Sequence, residues 1–251
     1  MTQDEMWLLK EKYQGKKTEG FFADSVRLKN GEPLAYLIGH IPFLGTTIYL
    51  DSHPLIPRTE TEYWVEKILS DIHTTEKQLK ILDLCAGSGC IGVAILKALS
   101  SATVDFVEID ESHHATIQKN IALNEIAPER ARIIGGSLFE HVDGVYNYIF
   151  SNPPYVDQNL NRVSESVQKF EPALALYGGQ DGIEIIKEII SQSSAHLTSQ
   201  GVLYFEHEPE QITTIQTSAS KSGFISTTFE DQFGHNRYTR LTRTDRKPMP
   251  Q

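Results

Sequence analysis

The feature that most constrains the fold of this chain is a regular alternation of short apolar runs with helical patterns, which begins at Leu79. Alternating strands and helices are typical of a parallel sheet with helices packed on its faces. The last two apolar runs, residues 224–230 and 237–243, are instead joined through Phe233-Gly234-His235-Asn236, which favours a closing antiparallel hairpin. The chain therefore predicts an α/β fold with a seven-stranded mixed sheet.

Five strands are predicted before the closing hairpin, with helices between and after them. The predicted strands are residues 79–84, 104–110, 131–139 including its loop, 146–150 and 201–208. The predicted helices are residues 91–99, 113–124, 181–197 and 209–222. Open α/β sheets bind ligands at the carboxyl ends of their strands, so the segments that follow these strands are the candidates for a functional site.

The residues before Leu79 are predicted to form an appendage. Residues 33–50 favour a β-hairpin because they are rich in β-branched and aromatic residues, with glycines at the bends. Thr59 and Glu62 have capping-box spacing ahead of a helix at 63–73, and Arg58 is either part of this helix start or directed at the substrate cleft. Residues 1–31 have a helical texture, and their apolar positions are Trp7, Leu8, Phe21, Phe22 and Val26.

Charge and cysteine content exclude several classes of protein. A formal charge of −10 argues against binding nucleic acid mainly through the phosphate backbone. Cys85 and Cys90 are too few for a disulfide framework and lack partners at zinc spacing, so we expect reduced thiols and no metal site. No run approaches about 18 apolar residues and residues 1–17 lack a signal-peptide centre, so a soluble cytoplasmic protein is expected. A basic cluster is interpreted as a solvated face; its members are Arg237, Arg240, Arg243, Arg246 and Lys247.

The candidate substrate site is Asn152-Pro153-Pro154-Tyr155, which directly follows the strand at 146–150. Each proline fixes its own φ, lacks an N–H and restricts the residue before it, so the loop holds its carbonyl groups in set directions. The amide oxygen of Asn152 and the carbonyl oxygen of Pro153 can accept both hydrogens of a planar –NH2 group, while Tyr155 offers a flat apolar wall. Asn152 is also a candidate cofactor contact. The motif therefore predicts a site for a planar amide or amine.

The candidate cofactor site is a glycine-rich turn after the first strand of the sheet. Gly87 to Gly92 matches the dinucleotide pattern G-x-G-x-x-G, with Glu108 about 20 residues further on, where a ribose ligand is expected. Asp83 precedes the turn, and a carboxylate there would repel a pyrophosphate. S-adenosylmethionine carries an ammonium and a sulfonium group but no phosphate, so the acidic lining favours it as the cofactor.

Three strand ends supply the predicted cofactor contacts. Glycine has no Cβ, so the turn lets the backbone approach the methionine part of the cofactor. Glu108 is predicted to accept from both ribose hydroxyls, with Asp110 as the second choice. The turn residues are Cys85, Ala86, Gly87, Ser88 and Gly89, and the residues expected to border the adenine are Ser137, Leu138 and Phe139.

Six motifs together resemble one enzyme family. They are YLIGHIPFLG, LIPRTETE, DLCAGSG, VEID, SNPPY and KFEPALALYGGQDGIEIIKEII, and they extend over about residues 33–243. This combination resembles the S-adenosylmethionine-dependent methyltransferases of the PrmC/HemK type, the peptide chain release factor N5-glutamine methyltransferases. The resemblance implies the Rossmann-like fold of class I methyltransferases. It also implies methylation of the glutamine amide nitrogen in the Gly-Gly-Gln loop of class I release factors, with S-adenosyl-L-homocysteine as the product.

Residue roles follow from the same resemblance. Asn152 and Pro153 are implied to bind the glutamine amide and Tyr155 to pack on it, while residues 85–89, Glu108 and Leu138 fall where the family contacts the cofactor. Two positions depart from the family pattern, since Cys85 stands where glycine is usual and Ser137 where an acid usually approaches the adenine amino group. These departures bear on cofactor affinity and not on the class of enzyme.

The resemblance also implies a division of the chain. Residues 76–243 are expected to form the methyltransferase domain and residues 244–251 a tail. Residues 1–75 are expected to be a reduced substrate-recruiting region, because family members usually carry a longer helical N-terminal domain. The expected protein is a monomer that acts on a release factor, without a nucleic-acid substrate or a membrane.

Other functions share part of this pattern. Asn-Pro-Pro-Tyr alone also occurs in adenine-N6 DNA methyltransferases and ribosomal-protein glutamine methyltransferases, and both stay open as alternatives. A non-catalytic S-adenosylmethionine-binding interaction module is a further alternative, which the intact motif disfavours. Gly178-Gly179-Gln180 spells the substrate tripeptide, but it precedes a predicted helix and is interpreted as a turn.

Overall fold

A mixed sheet of seven strands forms the centre of the computed structural model, which describes residues 1–72, 78–160 and 162–245. A separate hairpin consists of β1 (His40–Phe43) and β2 (Thr46–Tyr49). The strands of the sheet are β3 (Leu79–Leu84), β4 (Ala102–Glu108), β5 (Ala131–Gly135), β6 (Tyr146–Ser151), β7 (Leu197–Glu206), β8 (Phe224–Glu230) and β9 (Asn236–Arg243). The helices are α1 (Gln3–Glu11), α2 (Glu19–Lys29), α3 (Leu34–Ile38), α4 (Thr59–Asp71), α5 (Cys90–Ala98), α6 (His114–Leu123), α7 (Glu165–Phe170), α8 (Glu184–Ser193) and α9 (Ile212–Lys221).

The strand order β5-β4-β3-β6-β7-β9-β8 brings three strand ends together. Neighbouring strands are parallel except β9, which is antiparallel to both β7 and β8. Leu84 of β3 pairs with Val107 of β4 and with Ser151 of β6. The segments that follow these strands therefore start side by side, at the point where the strand order reverses and α/β sheets bind ligands. The predicted α/β fold with its closing antiparallel hairpin is confirmed.

Two apolar layers cover the faces of the sheet. Ile81 faces the layer that contains Trp64 of α4, whereas the next residue in β3, Leu82, faces the layer that contains Ile186 of α8 and Ile215 of α9. This separation follows from the alternation of side chains along a strand. Each of these side chains is fully buried, which contributes about 1.5–3 kcal/mol per residue relative to an exposed position.

Trp64 fixes α4 against the sheet. Its ring stacks on Phe150 of β6, with centroids 6.1 Å apart, and on Tyr238 of β9, with centroids 5.6 Å apart. Aromatic pairs in such arrangements add about 0.5–1.5 kcal/mol beyond the area they bury. The first turn of α4 is thereby held close to the carboxyl end of β6.

The prediction of a hairpin over residues 33–50 is correct only for its second half. Residues 34–38 form the helix α3, which begins after Pro33 and ends at Gly39, where φ is 93°. A short apolar run fits a strand and a buried helical turn equally well, and here the burial of Tyr36 and Leu37 decides for the helix.

The apolar positions of residues 1–31 divide into two groups. Leu8 and Phe21 are buried against Leu37 of α3 and form a small third core. The other three are exposed on α1 and α2; they are Trp7, Phe22 and Val26. This region therefore has a core of its own and three exposed apolar side chains.

The predicted capping box ahead of α4 is wrong. The helix begins at Thr59, and its N-cap is Arg58, without a side-chain cap. Glu62 instead accepts a hydrogen bond from the backbone N–H of Leu44, at 2.8 Å, and so ties α4 to the hairpin. The predicted end of this helix at His73 lies outside the described residues.

Other element boundaries also shift. The predicted helix at 181–197 begins only at Glu184, because Asp181 and Gly182 have φ values of 54° and 65°. The predicted third strand ends at Gly135, and α7 was not predicted. Within the three described ranges, no helix combines the length and apolar character that crossing a bilayer requires.

The basic cluster is paired instead of solvated at Arg237. This side chain is only 15% exposed and contacts Asp231 at 3.2 Å and Glu208 at 3.5 Å. Arg243 pairs with Asp245 at 2.9 Å. Arg240 lies over the ring of Phe229, 5.5 Å from its centroid. The remaining two members, Arg246 and Lys247, lie outside the described residues, as does the tail from residue 246 onward.

Candidate active site

A cleft lies at the carboxyl ends of β3, β4 and β6, and it contains about 1020 Å³ of space including its opening to solvent. Its walls come from the turn after β3, the ends of β4 and β5, the loop after β6, the start of α4 and the segment after α7. The lining residues are Leu55, Pro57, Thr61, Cys85, Ala86, Gly87, Ser88, Cys90, Ile91, Val107, Glu108, Ile109, Asp110, His113, Gly136, Ser137, Leu138, Asn152, Pro154, Pro172, Leu174, Ala175 and Ile185.

The turn after β3 has a backbone that mostly glycine adopts. Cys85, Gly87 and Gly89 all have positive φ, at 62°, 55° and 76°. Cys85 therefore occupies the position where the resemblance leads one to expect glycine, at a cost of about 1 kcal/mol of backbone strain. Burial raises the pKa of its thiol to about 12, so Cys85 presents a neutral side chain to the cleft.

Glu108 is held by two backbone amides. Its Oε2 accepts from the N–H of Gly87 at 2.7 Å, and its Oε1 accepts from the N–H of Asp110 at 2.9 Å. The carboxylate is 7% exposed and lies in the cleft wall. Carboxylate oxygens accept more than one hydrogen bond, so Glu108 keeps acceptor capacity for a ligand hydroxyl. The alternative, Asp110, accepts from the N–H of Ser112 and so caps the next helical turn.

Asp83 lies beneath the turn and not in the cleft wall. Its Oδ2 accepts from the N–H of Gly92 in the first turn of α5, at 2.8 Å, so the carboxylate caps that helix. Its Oδ1 has no hydrogen-bond partner among the described residues. Burial raises the pKa of Asp83 to about 7, against the lowering effect of the Gly92 hydrogen bond and with a further rise from the charge of Glu108. The expected acidic lining is therefore provided by Glu108 and Asp110.

The raised pKa of Asp83 predicts a dependence of stability on pH. An acid with an ordinary value of 3.8 and a folded value of about 7 contributes stability that is fully present below about pH 4 and is lost as the pH rises through 7. Asp83→Asn keeps an acceptor for Gly92 and removes the titration. We expect the free energy of unfolding of the wild type, relative to this variant, to fall by on the order of 2 kcal/mol between about pH 5 and pH 8. Urea unfolding at both pH values measures this difference, and a constant difference would contradict the prediction.

The predicted adenine residues separate into two groups. Ser137 and Leu138 line the cleft. Phe139 is 5% exposed and stacks on His196, with ring centroids 4.6 Å apart, so it belongs to the core. Side chains of consecutive residues point in different directions. The side chain of Phe139 therefore points into the core, whereas Ser137 and Leu138 line the cleft.

The loop after β6 contributes Asn152 and Pro154 to the cleft wall. The Nδ2 of Asn152 donates to the hydroxyl of Thr61 at 3.0 Å. Pro153 is buried, and the hydroxyl of Tyr155 donates to Glu206 at 2.7 Å. The ring of Tyr155 packs against the layer of α8 and is not among the cleft-lining side chains, so the expected flat apolar wall is absent from the described cleft.

Two segments of the wall were not predicted as site residues. Leu55 and Pro57 precede α4, and residues 172–175 follow α7. Glu171 joins these segments, because its side chain, 1% exposed, accepts from the N–H of Ile56 at 3.0 Å and from Arg58 at 2.8 Å. Arg58 is thus directed at Glu171. The motifs LIPRTETE and KFEPALALYGGQDG contain these residues. The resemblance of these two motifs to one family was the only feature of the sequence from which a place in the site could have been predicted.

The cleft wall fits the chemistry of S-adenosylmethionine. Backbone at Gly87 is open to the cleft, since a Cβ there would meet nothing within 4 Å. Ser88 also contributes to the wall, but its hydroxyl oxygen is buried. Apolar side chains, among them Ile109 and Leu138, can cover a flat ring.

Comparisons with known proteins point to one kind of enzyme. A family model described as Methyltransferase small domain matches residues 65–174. A release factor glutamine methyltransferase of Francisella tularensis subsp. tularensis is 34% identical over 200 residues, which cover 79% of this chain and 70% of that protein. A release factor glutamine methyltransferase of Flavobacterium psychrophilum is 33% identical over 224 residues, which cover 86% of this chain and 77% of that protein.

A solved structure shares the fold. A methyltransferase from Pyrococcus furiosus superposes with a TM-score of 0.60 at 17% identity, covering 88% of this chain and 98% of that one. At this identity the similarity concerns the architecture alone.

Proposed function

We propose that this chain, which belongs to the family of release factor glutamine methyltransferases, transfers a methyl group from S-adenosylmethionine to the side-chain amide nitrogen of a glutamine. The proposed substrate is the Gly-Gly-Gln loop of a class I peptide chain release factor. The observation that carries the proposal is that one cleft is lined both by Asn152 and by the turn containing Gly87, next to Glu108. An amide-binding loop and a cofactor turn on one cleft are what such a transfer requires.

The proposed cofactor contacts are those that line the cleft. The backbone of residues 85–88 would hold the methionine part, Glu108 the ribose, and Ser137 and Leu138 the adenine; Gly89, also predicted as a contact, is not among the lining residues. Bound S-adenosylmethionine supplies an electrophilic methyl group. Asp83 and Phe139 would act only through the turn and the core, because neither side chain lies in the cleft wall.

The proposed work of the loop is to orient a poor nucleophile. An amide nitrogen is unreactive because its lone pair is delocalised into the carbonyl group. The side-chain oxygen of Asn152 and the carbonyl oxygen of Pro153 would accept its two N–H bonds, and these hydrogen bonds strengthen as the nitrogen gains positive charge. The surplus proton can leave after the transfer, so no base is required beforehand. Tyr155 would support the loop through Glu206 instead of packing on the amide.

The remaining parts of the proposal concern how the release factor is recruited, which residues form the methyltransferase domain, and where in the cell the protein acts. We propose that residues 1–75 recruit the release factor; the exposed apolar side chains of Trp7, Phe22 and Val26 are candidates for contact with it. The methyltransferase domain would then be residues 76–243. We further propose a cytoplasmic monomer without a nucleic-acid substrate, in keeping with a charge of −10.

Purified protein with labelled S-adenosylmethionine tests the proposed function. A panel of class I release factors, ribosomal proteins and DNA is offered as substrate, and the labelled residue is identified by mass spectrometry. We expect label on the glutamine of the Gly-Gly-Gln loop alone. Label on a ribosomal protein or on adenine would favour the corresponding alternative enzyme, and cofactor binding without transfer to any of them would favour an interaction module.

A further inference from the structure

A buried hydrogen-bond network lies behind the candidate substrate loop. Glu206, at the end of β7, accepts from Thr61 at 2.6 Å and from the indole N–H of Trp64 at 2.9 Å through the same oxygen, Oε2. Its other oxygen, Oε1, accepts from Tyr155 at 2.7 Å. Glu206 and Thr61 are each 1% exposed and Trp64 is fully buried, so water does not compete for these bonds.

The indole of Trp64 sets the direction of the two hydrogen bonds at Oε2 of Glu206. An indole N–H is only a donor, so Oε2 of Glu206 accepts from it, and this contact favours the form of the carboxyl group in which Oε2 carries no proton. This conclusion holds whether or not the other oxygen, Oε1, is protonated. Thr61 donates its hydroxyl hydrogen to the same Oε2.

The single hydroxyl hydrogen of Thr61 is thereby used. Toward Asn152 the Thr61 oxygen can only accept, so the Asn152 atom that lies 3.0 Å away must be the –NH2 group. Oxygen and nitrogen of a side-chain amide are nearly indistinguishable by shape, and only such a network decides which way the amide points. The opposite end of the amide, its oxygen Oδ1, accepts no hydrogen bond from the described residues and belongs to a side chain in the cleft wall.

We infer that Thr61 is a positioning residue, which holds the Asn152 amide with its oxygen toward the cleft so that it can accept an N–H of the substrate amide. This inference rests on the proposed function. A flipped Asn152 would present its own N–H bonds to the substrate –NH2 group, and two donors facing each other form no hydrogen bond. Thr61 thus selects the one orientation of Asn152 that suits a donor substrate, without contacting the transferred group.

The location of Thr61 supports this role. It lies in the first turn of α4, which Trp64 fixes by stacking on Phe150 of β6, the strand that ends at the substrate loop. The same helix thus carries Trp64, which donates to Glu206, and Thr61, which donates to Glu206 and accepts from Asn152. Tyr155 anchors the far end of the loop to the same Glu206, so one carboxylate holds both ends.

The test compares three substitutions by steady-state methylation of a release factor with labelled S-adenosylmethionine. Thr61→Val keeps the shape and removes the hydroxyl; we expect kcat to fall by about tenfold to a hundredfold, because misorientation of a positioning group acts on the reacting geometry. The KM for the release factor, the Kd for the cofactor and the melting temperature should stay close to the wild type. Thr61→Ser restores the hydroxyl and should recover kcat to within about threefold.

The matched control is Thr59→Val, the same change in the same helical turn. Thr59 is exposed and its hydroxyl bonds only to Glu60 among the described residues, so wild-type kinetics are expected. If Thr61→Val does not fold, Trp64→Phe replaces it, since loss of the indole N–H frees the direction of the Thr61 hydroxyl; kcat should fall by several-fold at unchanged KM.

The outcomes separate the inference from the proposed function. A wild type that does not methylate any release factor contradicts the proposed function. An active wild type together with an unchanged kcat in Thr61→Val, or a Thr61→Ser variant as impaired as Thr61→Val, contradicts the positioning role of Thr61. A fall in kcat that is reversed by serine and absent in Thr59→Val supports it.

Discussion

Replacing Asn152 by alanine is expected to lower kcat by about a hundredfold or more while the Kd for S-adenosylmethionine stays within about threefold of the wild type. The proposed role of the Asn152 oxygen is to accept an N–H bond that strengthens as the amide nitrogen becomes positive. Losing such an oriented partner raises the barrier of the chemical step. Cofactor affinity should change little, because the turn at 85–89 and Glu108 are held by their own hydrogen bonds. Single-turnover kinetics and calorimetric titration of the cofactor measure the two quantities.

Asn159→Ala is the matched control for Asn152. Asn159 lies seven residues further along the same loop region, is exposed, and bonds only to Asp157 among the described residues. It should have wild-type turnover. Full activity of Asn152→Ala would refute the assignment of the amide-binding site, whereas a parallel loss of cofactor binding would mean that Asn152 acts through the cofactor site instead.

Replacing Gly178 by alanine is expected to destabilise the protein by about 3 kcal/mol and to lower kcat by on the order of a hundredfold. An added Cβ would lie 2.5 Å from the carbonyl oxygens of both Pro154 and Gly182, which are backbone atoms and cannot turn away. The surrounding backbone is also tied down, since the N–H of Gly178 donates to Val156 at 3.1 Å. The clash must therefore displace the loop that carries Asn152. Chemical denaturation and steady-state kinetics measure the two effects.

Gly20→Ala is the matched control for Gly178. Gly20 also lies outside the positive-φ region, and an added Cβ would meet only side-chain atoms, those of Tyr13 at 3.2 Å and of Thr18 at 3.7 Å. It lies in α2, where alanine is preferred over glycine, so the change in stability should stay within about 1 kcal/mol. A Gly178→Ala variant as stable and active as Gly20→Ala would show that the segment after α7 does not support the substrate loop.

The close contact of Gly178 with the backbone of Pro154 also explains part of the tripeptide Gly178-Gly179-Gln180. Its first glycine is required by close approach to Pro154, and Gly179 has a φ of 80°. Both glycines are thus explained by the packing of a turn. The interpretation of this string as a turn, and not as a substrate sequence, agrees with the structure.

Element type could be predicted from the sequence where the pattern was long. The alternation from Leu79 onward predicted all seven strands of the sheet, because buried parallel strands and amphipathic helices have different periods. Residues 34–38 were misread as part of a hairpin, because five apolar residues are too few to show a period. The capping-box spacing of Thr59 and Glu62 was misleading since Glu62 bonds to Leu44, a tertiary contact across 18 residues.

The candidate site could be located from the sequence, but its side chains could not be oriented. Parallel strands place their carboxyl ends at one edge, so the turn after β3, Glu108 and Asn152 had to lie near one another. Asp83, Phe139 and Tyr155 come from the same strings, yet their side chains point away from the cleft. Which of the cleft-lining residues bind ligand stays a prediction.

The sequence by itself determined the order of the elements, the edge of the sheet where a ligand binds and, through its motifs, the family. Only the tertiary structure decided which way the amide of Asn152 points, because that depends on Thr61, 91 residues before Asn152, and on Glu206, which lies 145 residues after Thr61. Periodicity specifies burial to within a residue, whereas a hydrogen bond requires two atoms to lie about 3 Å apart at a suitable angle. Contacts of that kind are set by the packing of α4, β6 and β7 together.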